Sequence, residues 1–202
     1  MTPPHTHTLP THHTHTHHPR DPLLTCLWPG GRGQAVESLD YASYLTWSDD
    51  SGASWSEPIP LFEDPVQPSS HGAKYSLLRD GTCLAFVTRY NREGREEEGI
   101  LSRETFGYTE LDYLLTRSTD EGRTWSPLSE VTLPLVGAME PCHHIIELQD
   151  GRWLYPTSTC KGWDGEWPNG FQAVAFVSES QGEAWESVLP IFDGTQVRNN
   201  VL

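Results

Sequence analysis

The chain has 202 residues, of which 28 are acidic and 13 basic, for a formal net charge of −15. Such a balance repels phosphates, which excludes a general nucleic-acid or anionic-membrane binder. Its length suits one or two domains, and no run reaches the ~18 apolar residues of a membrane helix.

The first 22 residues form a Thr/His/Pro tract with no helix or strand period, which predicts a disordered tail over 1–22. Seven histidines there (His5, His7, His12, His13, His15, His17 and His18) could take up zinc or nickel adventitiously, but the tract reads as an inert tail and no metal site is assigned. It has neither the basic start nor the apolar stretch of a secretory signal, and the compartment stays open.

Next comes the first of three tryptophan-ended turns, Ser48-Asp49-Asp50-Ser51-Gly52-Ala53-Ser54-Trp55. The Asp50 carboxylate can accept backbone N–H bonds to close the turn, Gly52 can take φ > 0, and Trp55 brings an indole back onto the hairpin. The segment Tyr75–Val87 then reads as strand, Asp80-Gly81 turn, strand. Cys83 sits in that pattern as a small buried apolar residue; Cys26, Cys142 and Cys160 complete a set without C-x-x-C spacing, so neither zinc nor a redox pair is indicated. The acidic run from Arg92 to Gly99 reads as a solvated loop.

The second turn, Ser118-Thr119-Asp120-Glu121-Gly122-Arg123-Thr124-Trp125, follows 70 residues after the first. A second Asp-Gly hairpin lies in His144–Tyr155, about 70 residues after its own predecessor. The third turn runs from Ser178 to Trp185 and keeps Ser178, Gly182 and Trp185, but has Ser180 where the carboxylate belongs, which predicts a looser turn. Two elements sharing one period predict units of an inner Asp-Gly hairpin and an outer tryptophan-ended hairpin, four antiparallel strands each. The fold class is all-β: a partial β-propeller over 23–202 with two to three such blades. The first turn has no inner hairpin before it. Open blade faces are apolar, and exposed blade edges are expected to self-associate.

Ser-x-Asp-x-Gly-x-x-Trp resembles the Asp-box, or BNR repeat, of the sialidase (neuraminidase) superfamily, over roughly residues 40–202. The stretch Glu147–Leu154, continued through Pro156-Thr157-Ser158-Thr159 and Trp163-Asp164-Gly165, is similar to a poorly characterised bacterial sialidase-like group. The resemblance implies a six-bladed propeller of which this chain is a fragment, with Ser48, Asp50, Gly52, Trp55, Ser118, Asp120, Gly122, Trp125, Ser178, Gly182 and Trp185 as structural Asp-box residues on the face away from substrate. It implies an exo-acting glycoside hydrolase for terminal sialic acid or a related acidic sugar, with clustered arginines for the carboxylate, a tyrosine nucleophile activated by glutamate, an acid/base aspartate and no cofactor. The family's Arg-Ile-Pro motif has no counterpart in Ala73-Lys74-Tyr75-Ser76-Leu77-Leu78.

Arg89, after the inner hairpin, is the remaining candidate for a substrate carboxylate; the other reading is a rim arginine paired with a nearby glutamate. Glu140 could activate a tyrosine or bind sugar hydroxyls. His143 and His144 are expected on opposite sheet faces, one in the core. Arg117, Arg123 and Asp112 read as structural. Trp163, Asp164 and Trp167 lie in a glycine-rich loop that either contacts sugar or caps the blade. The expected partner is a sialoside or related acidic glycan, with neither nucleic acid nor membrane. Two functions stand side by side: an inactive fragment of a sialidase-like hydrolase, and a non-catalytic propeller that binds glycan or protein.

Overall fold

The computed structural model describes residues 39, 41–66, 68–140 and 143–193, and the backbone course of 23–27. The tail over 1–22, Cys142 and the side chain of Cys26 lie outside the described residues. Among the described residues there is no helix, and all regular structure is strand.

Among the described residues eleven strands form three antiparallel sheets. The first sheet joins β1 (Leu23–Leu27), β2 (Tyr44–Ser48) and β3 (Ile59–Pro60) in that order. The second joins β4 (Ser69–Leu77), β5 (Cys83–Asn91), β6 (Leu111–Ser118) and β7 (Ser129–Glu130). The third joins β8 (Ile146–Glu147), β9 (Trp153–Ser158), β10 (Gln172–Ser178) and β11 (Ser187–Asp193). Each is an open meander, and together they are consistent with part of a propeller. Before the first tryptophan-ended turn β1 pairs with β2, from Leu23↔Ser48 to Leu27↔Tyr44, and among the described residues this sheet has no inner hairpin like β4–β5.

Sequence alternation explains how the sheets stack. Successive strand residues point to opposite faces. On β5, Ala85 and Val87 join a cluster with Leu45 of the first sheet and Leu61, while Leu84 and Phe86 join Trp153, Tyr155, Val174 and Phe176 of the third. The middle sheet is therefore buried on both faces. Phe86 and Tyr155 meet with ring centroids 4.3 Å apart.

The tryptophan-ended turns share one construction. Asp50 Oδ1 accepts from Ser54 N at 2.8 Å, and Asp120 Oδ1 from Thr124 N at 2.8 Å. Ser48 and Ser118 hydroxyls donate to those same aspartates at 2.9 and 2.7 Å and accept from Gly52 N and Gly122 N. These bonds, led by those from Ser54 and Thr124, lower both carboxyls to a pKa of about 2. In the third turn Ala184 N donates to Ser180 Oγ at 2.9 Å, and the Glu186 carboxylate reaches back to accept from Ser180 Oγ and Glu179 N, both at 3.2 Å. A carboxylate from outside the motif thus holds the turn that lacks its own.

Arginines tie neighbouring sheets together at this end. Arg117 lies over the Trp153 ring at 5.2 Å and donates to Gln181 O. Arg79 donates to Glu147 Oε1 at 3.1 Å and to Leu148 O at 2.6 Å, and Arg123 faces Asp49 at 3.7 Å. Cys83 is half-buried rather than buried. Neither His143 nor His144 is in the core: both are exposed, outside any strand, and Ile145 takes the buried place beside them.

Candidate functional site

At the end of the sheets opposite the tryptophan turns, three connections converge: 92–110 between β5 and β6, 131–145 between β7 and β8, and 159–171 between β9 and β10. Backbone bonds join them. Tyr108 N donates to Lys161 O at 2.8 Å, Glu140 N to Ser158 O at 2.8 Å and Cys160 N to Ala138 O at 2.8 Å. The approach beside Tyr108 leaves no room for a side chain, because a Cβ on Gly107 would overlap the Gly162 carbonyl.

This junction sets a tyrosine against a glutamate. Tyr108 Oη donates to Glu140 Oε2 at 2.6 Å, and Cys160 Sγ lies 3.7 Å from the same oxygen. Glu140 is fixed from its backbone as well, since its carbonyl accepts from Thr157 Oγ1 at 2.8 Å and the preceding Met139 N donates to Tyr113 Oη at 2.9 Å. Burial, then the bond to Glu140 and that carboxylate's charge, push the Tyr108 phenol well above its ordinary value. The phenol is held protonated, as a donor.

The two indoles lie on the 159–171 connection, which meets Tyr108 at Lys161. Trp163 is half-buried beneath Arg95, whose guanidinium carbon lies 4.6 Å from the ring centroid. Its carbonyl accepts from Thr105 Oγ1 at 2.6 Å. Trp167 is exposed, with Lys161 Nζ at 5.7 Å from its ring and the Phe171 ring at 6.2 Å. Asp164 is exposed. Such cation-capped rings offer flat apolar faces beside polar donors.

Arg89 stands apart from this group. Its Nε and Nη2 donate to Asp112 Oδ2 at 3.0 and 2.8 Å, and Nη1 to Asp64 Oδ1 at 3.3 Å. Only 12 % of the Arg89 side chain and 2 % of Asp64 are exposed. Burial opposes its charge, but the two aspartates outweigh that and raise its pKa. The pairing is with aspartates, not with the glutamates of the neighbouring acidic run. In that run residues 96–98 are exposed, while Arg92 at its start is buried and donates to Ser70 Oγ at 3.2 Å.

The structure therefore brings Glu140 and the Trp163–Trp167 loop together through Tyr108, and places Arg89 in a separate cluster with Asp64 and Asp112. Sequence reasoning missed Tyr108 and Asp64. Among the described residues no three His, Cys, Asp or Glu side chains gather as a metal site would require.

Comparison with known proteins bears on the fold. No protein-family model matches the chain, and no curated protein matches it. Among solved structures, the chain is similar to a protein of unknown function from Dyadobacter fermentans, with a TM-score of 0.51 and 20 % identity over 77 % of this chain and 45 % of that one. It is also similar to a Hadza microbial sialidase, with a TM-score of 0.54 and 17 % identity over 73 % of this chain and 31 % of the other. The fold is sialidase-like. At these identities the likeness extends to the fold alone, and the chain spans less than half the length of either structure.

Proposed function

We propose that this chain is part of a sialidase-like, carbohydrate-recognising propeller whose described residues contact a sugar but do not by themselves complete a catalytic site. The observation that carries this reading is the Tyr108–Glu140 pair, held at 2.6 Å where the loop carrying Trp163 and Trp167 meets Tyr108 at Lys161. A carboxylate and a phenol beside flat aromatic rings match the alternating hydroxyl edges and C–H faces of a pyranose. Asp164 adds an exposed acceptor on the same loop. The engagement of Arg89 by two aspartates speaks against its binding a substrate carboxylate.

One observation favours a second reading, in which the chain belongs to a hydrolase whose other groups lie elsewhere. A tyrosine hydrogen-bonded to a glutamate is the pairing that the sialidase resemblance implies. There Glu140 would take the phenol proton as Tyr108 Oη attacks the anomeric carbon and the glycosidic C–O bond breaks, with an acid group outside the described residues protonating the departing oxygen.

The test uses the full chain and a panel of neutral and acidic glycans, read by tryptophan fluorescence and calorimetry, with a fluorogenic sialoside for turnover. Binding weakened at least about tenfold by Trp163→Ala and by Glu140→Gln, without turnover, is the expected result. Binding indifferent to both substitutions would overturn the carbohydrate site. Sustained release abolished by Tyr108→Phe would replace the first reading with the second.

A further inference from the structure

The Trp163 ring carries a cover built from the neighbouring sheet. Arg95 lies in the connection between β5 and β6 and Trp163 in that between β9 and β10, so the second and third sheets supply one partner each. At 4.6 Å from the ring centroid, the Arg95 guanidinium carbon makes a cation–π contact across the ring face. A pyranose stacked on that face would bring its carbons within ~4.5 Å of the same ring atoms. Arginine and sugar cannot share it.

Both backbones beneath this contact are pinned. Arg92, fully buried, donates from its guanidinium to Ser70 Oγ at 3.2 Å and to Glu98 O, and its N donates to Pro68 O at 3.0 Å. Arg95 N donates to Arg92 O at 2.8 Å, and Glu98 N to Arg95 O at 3.1 Å, which closes a turn over 95–98. Around Trp163, Gly165 N donates to Gly162 O at 2.9 Å. The Arg95 side chain is held differently. It is half-buried, and among the described residues its guanidinium has the Trp163 ring but neither a hydrogen-bond acceptor nor an ion-pair partner. Glu97 and Glu98 nevertheless stand exposed on the same turn, whose first and fourth Cα atoms such a closure keeps within about 7 Å. The side chain thus has two places to go, the indole face or its own acidic run.

We propose that Arg95 is a movable cap that sets the affinity of this site for glycans: it covers the Trp163 face in the free protein, and a bound sugar displaces it onto Glu97 and Glu98. The inference rests on the carbohydrate reading above. A sugar must then outbid the cation–π contact, while the two carboxylates lower the cost of displacing it. The acidic run therefore acts on binding without touching the ligand.

Calorimetric titration of the full chain with lactose, a neutral probe, and 3′-sialyllactose, an acidic one, tests the cap. Arg95→Ala is expected to bind either sugar about three- to fivefold tighter than the unaltered chain, and the gain is expected to vanish when Trp163→Ala is added. Glu97→Gln/Glu98→Gln is expected to weaken binding about twofold in the unaltered background and to leave it unchanged in the Arg95→Ala background. Binding that is equal or weaker in Arg95→Ala would overturn the proposal and leave the carbohydrate site standing, as would a glutamate effect of the same size in both backgrounds. Absence of binding by both chains would remove the carbohydrate reading and the cap together. Near-UV circular dichroism confirms folding, and Arg95→Gln replaces Arg95→Ala should the latter unfold.

Discussion

Single residues decide how the third tryptophan turn is held. Glu186 supplies its carboxylate, so simply restoring the motif with Ser180→Asp would set two like charges against each other. The other turns have serine after the tryptophan, where Ser126 Oγ accepts from Arg117 N at 3.1 Å. The double variant Ser180→Asp/Glu186→Ser is therefore expected to raise Tm by about 2–4 °C, while Ser180→Asp alone raises it by less or lowers it. Additive shifts across that thermal-melt cycle would refute the coupling. His71 is a second such case. Its Nδ1 accepts from Ser43 N at 3.3 Å, its ring lies 4.3 Å from that of Phe62, and burial lowers its pKa to about 4, with Arg89 adding to that and Asp64 opposing it. The folded value lies below the unfolded 6.5, so this stability is complete above pH 6.5 and is lost as pH falls toward 4. Urea unfolding is expected to give about 2 kcal/mol less at about pH 5 than at about pH 7.5, and His71→Gln to flatten that slope. An unchanged slope in the variant would assign the dependence to other groups. The sequence foretold the aspartate and glycine of these turns because their duties are local. It did not foretell Glu186, nor the left-handed residue before each glycine, with φ of 59° at Ser51, 63° at Glu121 and 55° at Gln181, since neither follows from the motif's residue types.

Elements show where legibility stops. The Asp80-Gly81 and Asp150-Gly151 hairpins could be read directly, because Asp-Gly between apolar runs marks a tight reversal, although the loops are longer than two residues: Gly81 N donates to Leu78 O and Gly151 N to Leu148 O, each at 3.0 Å. The pairing of β1 with β2 could not: 16 residues separate Leu27 from Tyr44, and no local pattern announces a partner across that distance. Tyr108 and Glu140 lie 32 residues apart in different connections, and the contact exists only because three loops meet. Arg89 was visible as a strand-end arginine, whereas Asp64, 25 residues earlier, was not visible as its partner. Junctions of this kind depend on close backbone approach. Gly107→Ala must push the 92–110 connection away from Gly162, and with it Tyr108 from Glu140. The expected outcome is glycan binding weakened as much as by Glu140→Gln, with Tm lowered by a few degrees as well, because Met139 beside Glu140 belongs to the cluster between the second and third sheets. Full binding by Gly107→Ala would mean that the sugar is held by the indoles alone.

Across the whole molecule, burial on two faces should set the order of opening. β5 is hydrogen-bonded to β4 on one side and β6 on the other, and its residues Leu84, Ala85, Phe86 and Val87 are each no more than 1 % exposed. β10 is also a central strand, between β9 and β11, but only its Val174 and Phe176 enter a cluster. Local opening is opposed by the apolar contacts that it must break, so amides of β5 should exchange more slowly than those of β10. Hydrogen exchange followed by mass spectrometry on the full chain reads this difference. Equal protection of β5 and β10 would mean that something other than sheet-on-sheet stacking sets the stability of this fold.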